Sequence, residues 1–411
     1  MSRILPEPSS LGRMSQSHLK HWLFVFGTYT IASNTSFTSA IWIIYLAARG
    51  YNPFVIGLLE MLFHISKLLA EVPTGIFADL LGRRKSLVVF CIITGIESIL
   101  FLHPTLPLMI LSFTLSGIAY AFRGGADSAM LWTIAGAADP EGQKHLFSKL
   151  YTRMFVISLI GEVFGTATGG YLGRLMQLLP FIVQIFVAFS GVIPLLLIPE
   201  QRFGTQEHAQ RNSVLLHLGK GLRLVWQKPT VLGMLLLGGL AESCWQTIYF
   251  YYQLYLHNQG SALEIVGLII AVGMASSAFF TAVAPWMMRR VPQRVLIPLC
   301  IVAELLGLIM MSTSWLACSL VGYLLFFQAS INILSPAANT YINEHSPEEQ
   351  RVTILSFGTG MFSAAMIVMF PLFGAGVATM PYSTAFSGMF CALALGSLVI
   401  WGLTRWVQSR R

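Results

Sequence analysis

Apolar residues fill this chain in long blocks, each close to the ~20 residues a helix needs to cross a hydrocarbon core. The blocks cover about 21–48, 55–79, 86–103, 107–135, 153–173, 177–198, 229–257, 264–288, 294–312, 315–343, 352–379 and 383–404, and predict twelve membrane spans. Each span is expected to be helical, because a lone segment in oil must bond its own backbone. The fold class is therefore all-α integral membrane. Polar residues enter the blocks with a helical period. Span two carries Glu60, His64, Lys67 and Glu71, span seven Glu242, Gln246, Tyr249 and Gln253, and span ten Gln328, Asn332, Ser335 and Asn339. Steps of i, i+4, i+7 and i+11 place each set on one narrow face. Span eight has no charge between Glu264 and Arg289, so polarity sits on chosen faces of chosen helices.

Composition agrees. Of 411 residues, 55% are hydrophobic and only 10% charged, against about 25% charged in soluble domains; the mean hydropathy is +0.70. Of the 25 lysines and arginines, 21 fall in the tails, the central interval and the loops of one side, Arg83-Arg84-Lys85 and Arg289-Arg290 among them, whereas the other side holds Arg49 and Arg174. The positive-inside rule then puts both termini in the cytoplasm. The net charge of +8 follows from this asymmetry and calls for no nucleic acid. The first 17 residues, with Pro6 and Pro8 and no apolar core, read as a short tail rather than a signal peptide. The five cysteines all fall in predicted spans without metal or disulfide spacing, so they read as buried thiols and no cofactor is expected.

The polar interval 200–228 divides the spans six and six, giving an N-terminal bundle (1–199), a linker, and a C-terminal bundle (229–411). Its amphipathic run Val214–Trp226 is expected to lie on the membrane surface. An offset of 210 maps Tyr45-Leu46, Gly50 and Gly57 onto Tyr255-Leu256, Gly260 and Gly267. That suggests parallel repeats with a substrate site between the halves near the midplane.

The loop after span two reads Gly75-Ile-Phe-Ala-Asp79-Leu-Leu-Gly82-Arg83-Arg84-Lys85. Gly75 suits close helix approach, Gly82 a tight turn, and Asp79 the positive N-terminus of another helix. The string resembles the G-x-x-x-D-x-x-G-R-[RK]-[RK] signature of the major facilitator superfamily. The resemblance implies two pseudo-symmetric six-helix bundles, alternating access, and a latch of Gly75, Asp79, Gly82, Arg83 and Arg84 whose partner is the eleventh helix near Arg351–Thr353. At offset 210 the second half has Arg289, Pro292 and Gln293 for Asp79, Gly82 and Arg83, so the latch is expected on one side only. Span five reads Gly161-Glu-Val-Phe-Gly165-Thr166-Ala-Thr-Gly169-Gly170. It is similar to the G-x-x-x-G-P-x-x-G-G element of bacterial drug–proton antiporters, with Thr166 in place of proline; a small-residue packing face is the other reading.

Seven of the 17 acidic residues lie inside the predicted spans and clear of their end residues: Glu60, Glu71, Glu97, Asp127, Glu162, Glu242 and Glu304. An ionisable group at that depth costs roughly 2.5–3.5 kcal/mol on insertion scales, so it points to a cavity or a partner. The family implies that helices one, four, seven and ten line the cavity, which brings in Asn34 and the pair Arg123 and Asp127. That pair, one turn apart, reads as an internal ion pair or a protonation switch. The span-two stripe of Glu60, His64, Lys67 and Glu71 reads equally as a proton path or a structural ladder. Glu242 leads for substrate or proton contact and Glu162 follows, because a carboxylate in low dielectric favours its protonated form. Gln246, Tyr249, Gln328 and Asn332 join them as candidate contacts, with Trp245 and Tyr249 as aromatic faces for a lipophilic cation. Glu97 and Glu304 sit on supporting helices, where packing is the simpler role.

The resulting expectation is a monomeric secondary transporter of the bacterial inner membrane, exporting amphipathic or cationic small molecules in exchange for protons. Proton-linked uptake of a nutrient or organic anion, served by Arg123 and Lys67, is the alternative. An intramembrane enzyme is remote, with no G-x-S-x-G elbow and no H-E-x-x-H pair, and the lack of a P-loop argues against an ATP-driven pump.

Overall fold

The computed structural model describes residues 16–198, 228–346 and 351–409, and all regular structure among them is helical. The amphipathic run expected at Val214–Trp226 lies outside the described residues. Span one consists of Gln16–Asn34 and Trp42–Ala48, span two of Pro53–Leu81, span three of Arg83–Leu100, and span four of Leu106–Arg123 and Ala126–Ala138. Span five is Gln143–Leu175, span six Leu179–Ser190 and Val192–Leu197, span seven Pro229–Asn258, span eight Leu263–Arg290 and span nine Gln293–Met311. Span ten joins Leu316–Val321, a π-helical turn Gly322–Phe327 and Gln328–His345; spans eleven and twelve are Arg351–Thr379 and Tyr382–Ser409. Ten described helices are long and apolar enough to cross a membrane. Span one misses that mark because it is broken, and span three because it begins with Arg83-Arg84-Lys85.

Among the described residues, spans one, four, six and ten are not single continuous α-helices, and span five starts early. Span one opens at residues 35–41, where Thr35, Ser36, Thr38 and Ser39 offer the backbone side-chain alternatives to the helical ladder. The break is affordable at membrane depth only because its polar groups find partners. Gln184 of span six accepts from the backbone N–H of Phe37 at 2.9 Å, and Ser39 Oγ meets Thr166 Oγ1 at 2.7 Å. Span four breaks at Gly124-Gly125, with Gly125 at φ +73°, so Arg123 and Asp127 do not share one continuous helix. Span five starts ten residues earlier than the apolar pattern indicated, its polar first turns extending beyond the hydrophobic block.

The span-five glycines form a packing face. A Cβ on Gly165 would lie 2.7 Å from the Ser36 amide nitrogen, and one on Gly169 would overlap the Phe37 carbonyl. The opened segment of span one thus rests on span five where side chains are missing.

The chain divides into two compact units. One comprises the described residues of Met1–Arg49, Leu62–Gly204 and Gly260–Ala271; the other those of Gly50–Met61, Thr205–Gln259 and Val272–Arg411. Phe26, Tyr29, Phe90, Met130 and Leu131 belong to the core of the first. Its share of span eight is held by span five: Arg174 Nη1 meets Glu264 Oε1 at 2.6 Å, and a Cβ on Gly170 would lie 2.9 Å from Gly267 Cα. In the second unit the start of span two is held by spans seven and eleven. Tyr251 donates to the Pro53 carbonyl at 2.8 Å, and a Cβ on Gly57 would lie 2.6 Å from Pro371 Cα. Gly57 and Gly267, and likewise Gly50 (φ +87°) and Gly260 (φ +89°), are the pairs related by the sequence offset. Matching backbone conformation and matching close approach make the repeat a physical one.

Candidate functional site

In the second unit, spans seven, ten and eleven enclose a cavity of about 490 Å³. Glu242 lies on its wall and is exposed there, although it sits midway along a membrane helix. Ser335, Asn339, Asn343 and Thr359 supply the other polar lining, and Met234, Leu235, Ile331, Leu334, Ile342 and Phe362 the apolar part. Among the described residues, no basic side chain lines the cavity. The space beside Glu242 comes from Gly238, where a Cβ would meet nothing within 4 Å. One acid among amides, hydroxyls and aliphatic walls is a surface for a compact cation with an apolar body.

A neutral polar cluster braces this wall. Gln328, only 1% exposed, accepts from Trp245 Nε1 at 3.0 Å and from Ser277 Oγ at 2.7 Å. Asn332 donates to the Gln328 carbonyl at 2.8 Å and accepts from Thr281 at 3.3 Å. The span-ten stripe therefore divides by role: Gln328 and Asn332 hold spans seven, eight and ten together, while Ser335 and Asn339 face the cavity. Tyr249 is 6% exposed and stacks on Trp245 at 5.6 Å, placing it behind the wall. Gln246 is half-buried and outside the cavity lining. Glu304, with no exposed surface, lies beside the Cys244 thiol as a sealed group.

The first unit holds a charged cluster at the break in span four. Arg123 Nε donates to Asp127 Oδ2 at 2.8 Å, and Tyr29 OH donates to Asp127 Oδ1 at 2.8 Å. Arg123 also donates from Nη2 to Asn34 Oδ1 at 2.8 Å and from Nη1 to the Ser33 carbonyl at 3.3 Å, and lies 5.2 Å from the Phe90 ring centre. Glu162 of span five lies within the field of the same guanidinium. Asp127 sits in the first turn of its helix, where the backbone dipole favours an anion. The expected ion pair is thus present, carried across the Gly124-Gly125 break. Its further partners, Tyr29 and Ser33, had no local sequence signal.

The span-two stripe spreads in burial. Glu60 is 7% and His64 2% exposed, Lys67 is half-buried and Glu71 exposed. Glu60 lies in the second unit within electrostatic reach of Tyr251, and Lys67 acts likewise on His64 in the first. In the motif loop, Gly82 takes φ +102°, as a tight turn requires. Asp79 is 60% exposed and meets Arg83 at 3.4 Å, and Arg84 Nη1 donates to the Ile198 carbonyl at 2.8 Å. The expected close helix approach at Gly75 is corrected: a Cβ there would meet no atom within 4 Å. Side chains of Arg351–Thr353 lie outside the described residues.

Comparison with known proteins matches this architecture to one class, the membrane carriers built from twelve helices. The family model of the Major Facilitator Superfamily matches residues 23–368, and the chain belongs to that superfamily. It is a multi-pass secondary transporter, not an enzyme. It is 24% identical over 374 residues to the uncharacterised MFS-type transporter YxaM of Bacillus subtilis (strain 168), covering 88% of this chain and 89% of that one. Among solved structures it resembles the nucleoside transporter NupG (TM-score 0.73, 14% identity, 95% of this chain and 99% of that one). It also resembles a D-xylose–proton symporter (TM-score 0.71, 14% identity, 94% and 98%). At these identities the structural likeness establishes the fold alone.

Proposed function

We propose that this transporter moves amphipathic organic cations against protons, and that Glu242 is the group on which the two compete. The observation that carries the reading is the exposure of Glu242 on a cavity wall of mixed apolar and amide character. A cation entering there gains a carboxylate partner in reduced dielectric. A proton on the same carboxyl removes that partner, so each ligand displaces the other. Coupling then needs one conformation to favour the protonated site and the other the loaded site. The charge pattern of the loops supports cytoplasmic termini in a bacterial inner membrane; the likeness of residues 161–170 to the drug–proton antiporter element favours the outward direction. The motif loop supports a latch built on Asp79, Gly82, Arg83 and Arg84, and the chain works as a monomer.

Uptake of an organic anion fits less well, because hydrogen bonds to Asp127, Asn34 and the Ser33 carbonyl already occupy the Arg123 fork. Uptake of a neutral polar solute is the second reading, favoured by Asn339 and Asn343 on the cavity wall; the structural neighbours named for nucleoside and xylose are of that kind. Purified protein in liposomes with an imposed pH gradient separates them, using ethidium and tetraphenylphosphonium against uridine and xylose. The reading expects gradient-driven movement of the cations and its loss, by about tenfold or more, in Glu242→Gln. Cation transport undiminished in that variant, or movement of uridine or xylose alone, overturns it.

A further inference from the structure

Span ten is not one continuous α-helix. Between Leu316–Val321 and Gln328–His345 it widens into the π-helical turn Gly322–Phe327. A π-turn holds one residue more than the α-turn it replaces, and such turns recur at functional sites. An α-helix advances about 100° per residue, so the extra residue decides which face of the downstream helix points where. Here that helix carries Asn339 into the Glu242 cavity and Gln328 into the bracing cluster.

The surroundings are built for the wide turn. Ser276 of span eight donates to the Leu324 carbonyl inside it at 2.6 Å. Tyr323, with no exposed surface, stacks on Tyr252 at 4.3 Å and fits against Gly273, where a Cβ would lie 3.0 Å from its ring. Gly307 of span nine gives the room on the other side: a Cβ there would lie 3.1 Å from the Gly322 carbonyl oxygen. Upstream, Ser319 is tied to Tyr252 OH at 2.9 Å, and downstream Gln328 is tied to Trp245 and Ser277. Both ends are anchored, with the extra residue between them.

We propose that the π-turn Gly322–Phe327 sets the rotational register of span ten, that this register puts Asn339 on the substrate cavity, and that Ser276 is the positioning residue that holds the turn. The substrate clause rests on the cavity reading above; the register clause does not. Collapse of the turn to α-helix at constant length rotates the downstream face by about 100° and takes Asn339 off the cavity wall.

The test uses full-length protein with a single added cysteine, Asn339→Cys (exposed) or Ala337→Cys (0% exposed). A hydrophilic maleimide labels it, and mass spectrometry reads the span-ten peptide, so the native cysteines stay in place. Deleting Leu325 is expected to shorten the turn to an α-turn with both anchored faces retained, leaving Asn339→Cys reactive and Ala337→Cys protected. Deleting Ile331, within the α-helical stretch, is expected to lower Asn339→Cys labelling by about fivefold or more, because nothing absorbs the lost residue. Equal loss of labelling in the two deletions overturns the register assignment. Ser276→Ala, which needs no change of chain length, is expected to lower Asn339→Cys labelling about twofold or more. It is also expected to raise the half-saturation concentration for ethidium about fivefold at a maximal rate within about twofold of the parent, with Ser276→Thr restoring both. Unchanged labelling and kinetics in Ser276→Ala overturn the role of Ser276. Should Glu242→Gln transport normally while the labelling contrast holds, the cavity reading falls and the register assignment stands.

Discussion

Arg123 shows how one charged side chain is accommodated inside an apolar helix bundle. Its guanidinium meets a carboxylate, an amide oxygen and a backbone carbonyl, and its carboxylate partner takes a second donor from Tyr29. Removing that donor by Tyr29→Phe is expected to cost about 1 kcal/mol, the net worth of one hydrogen bond. Asp127→Asn leaves the guanidinium without its charge partner; with 20% and 31% of the two side chains exposed, solvent softens the loss to about 2 kcal/mol. Thermal unfolding in detergent checks the ranking: Asp127→Asn melts lowest and Tyr29→Phe between it and the parent, whereas equal melting of all three contradicts it. Sequence spacing alone exposed the Arg123–Asp127 pair, since the two are four residues apart. The Tyr29 contact spans 98 residues, and no local period carries such information. For Glu242 the sequence offered depth and the absence of a basic neighbour on its helix. That it faces a cavity whereas Glu304 is sealed depends on packing between helices.

At the scale of elements, hydropathy recovers spans well because the bilayer imposes one length and one kind of backbone satisfaction on all of them. It is blind to interruptions. The opening of span one, the Gly124-Gly125 break and the π-turn all lie inside apolar blocks, and each is satisfied by side chains from elsewhere, such as Gln184 on the Phe37 amide. Glycine is where the two views meet. Gly50 and Gly260 hold positive φ in open surroundings, so alanine there meets strain without collision. Each substitution is expected to cost about 1–2 kcal/mol, equally in the two halves. Gly75 lies in a helix with no neighbour within 4 Å of an added Cβ, so Gly75→Ala is expected to be neutral or slightly stabilising. Melting temperatures of the three variants test this; a penalty at Gly75 matching that at Gly50 and Gly260 contradicts it.

For the whole molecule, two six-span halves repeat one plan with different chemistry. The first gathers charge, with Arg123, Asp127 and Glu162 around a broken helix, and the second gathers neutral hydrogen-bonding groups behind the exposed Glu242. Helix count and loop charge were legible from the sequence because they are set by the membrane. The division of labour between halves was not, because the polar stripes look alike until their burial is known. The account turns on Glu242 as the place where cation and proton exclude each other. Its most direct test is proton release on binding: purified transporter in weakly buffered detergent, titrated with tetraphenylphosphonium near neutral pH while a pH indicator is read. The account predicts that saturating cation expels protons from the parent protein, that affinity weakens as pH falls, and that Glu242→Gln releases none. Equal proton release from Glu242→Gln would contradict it.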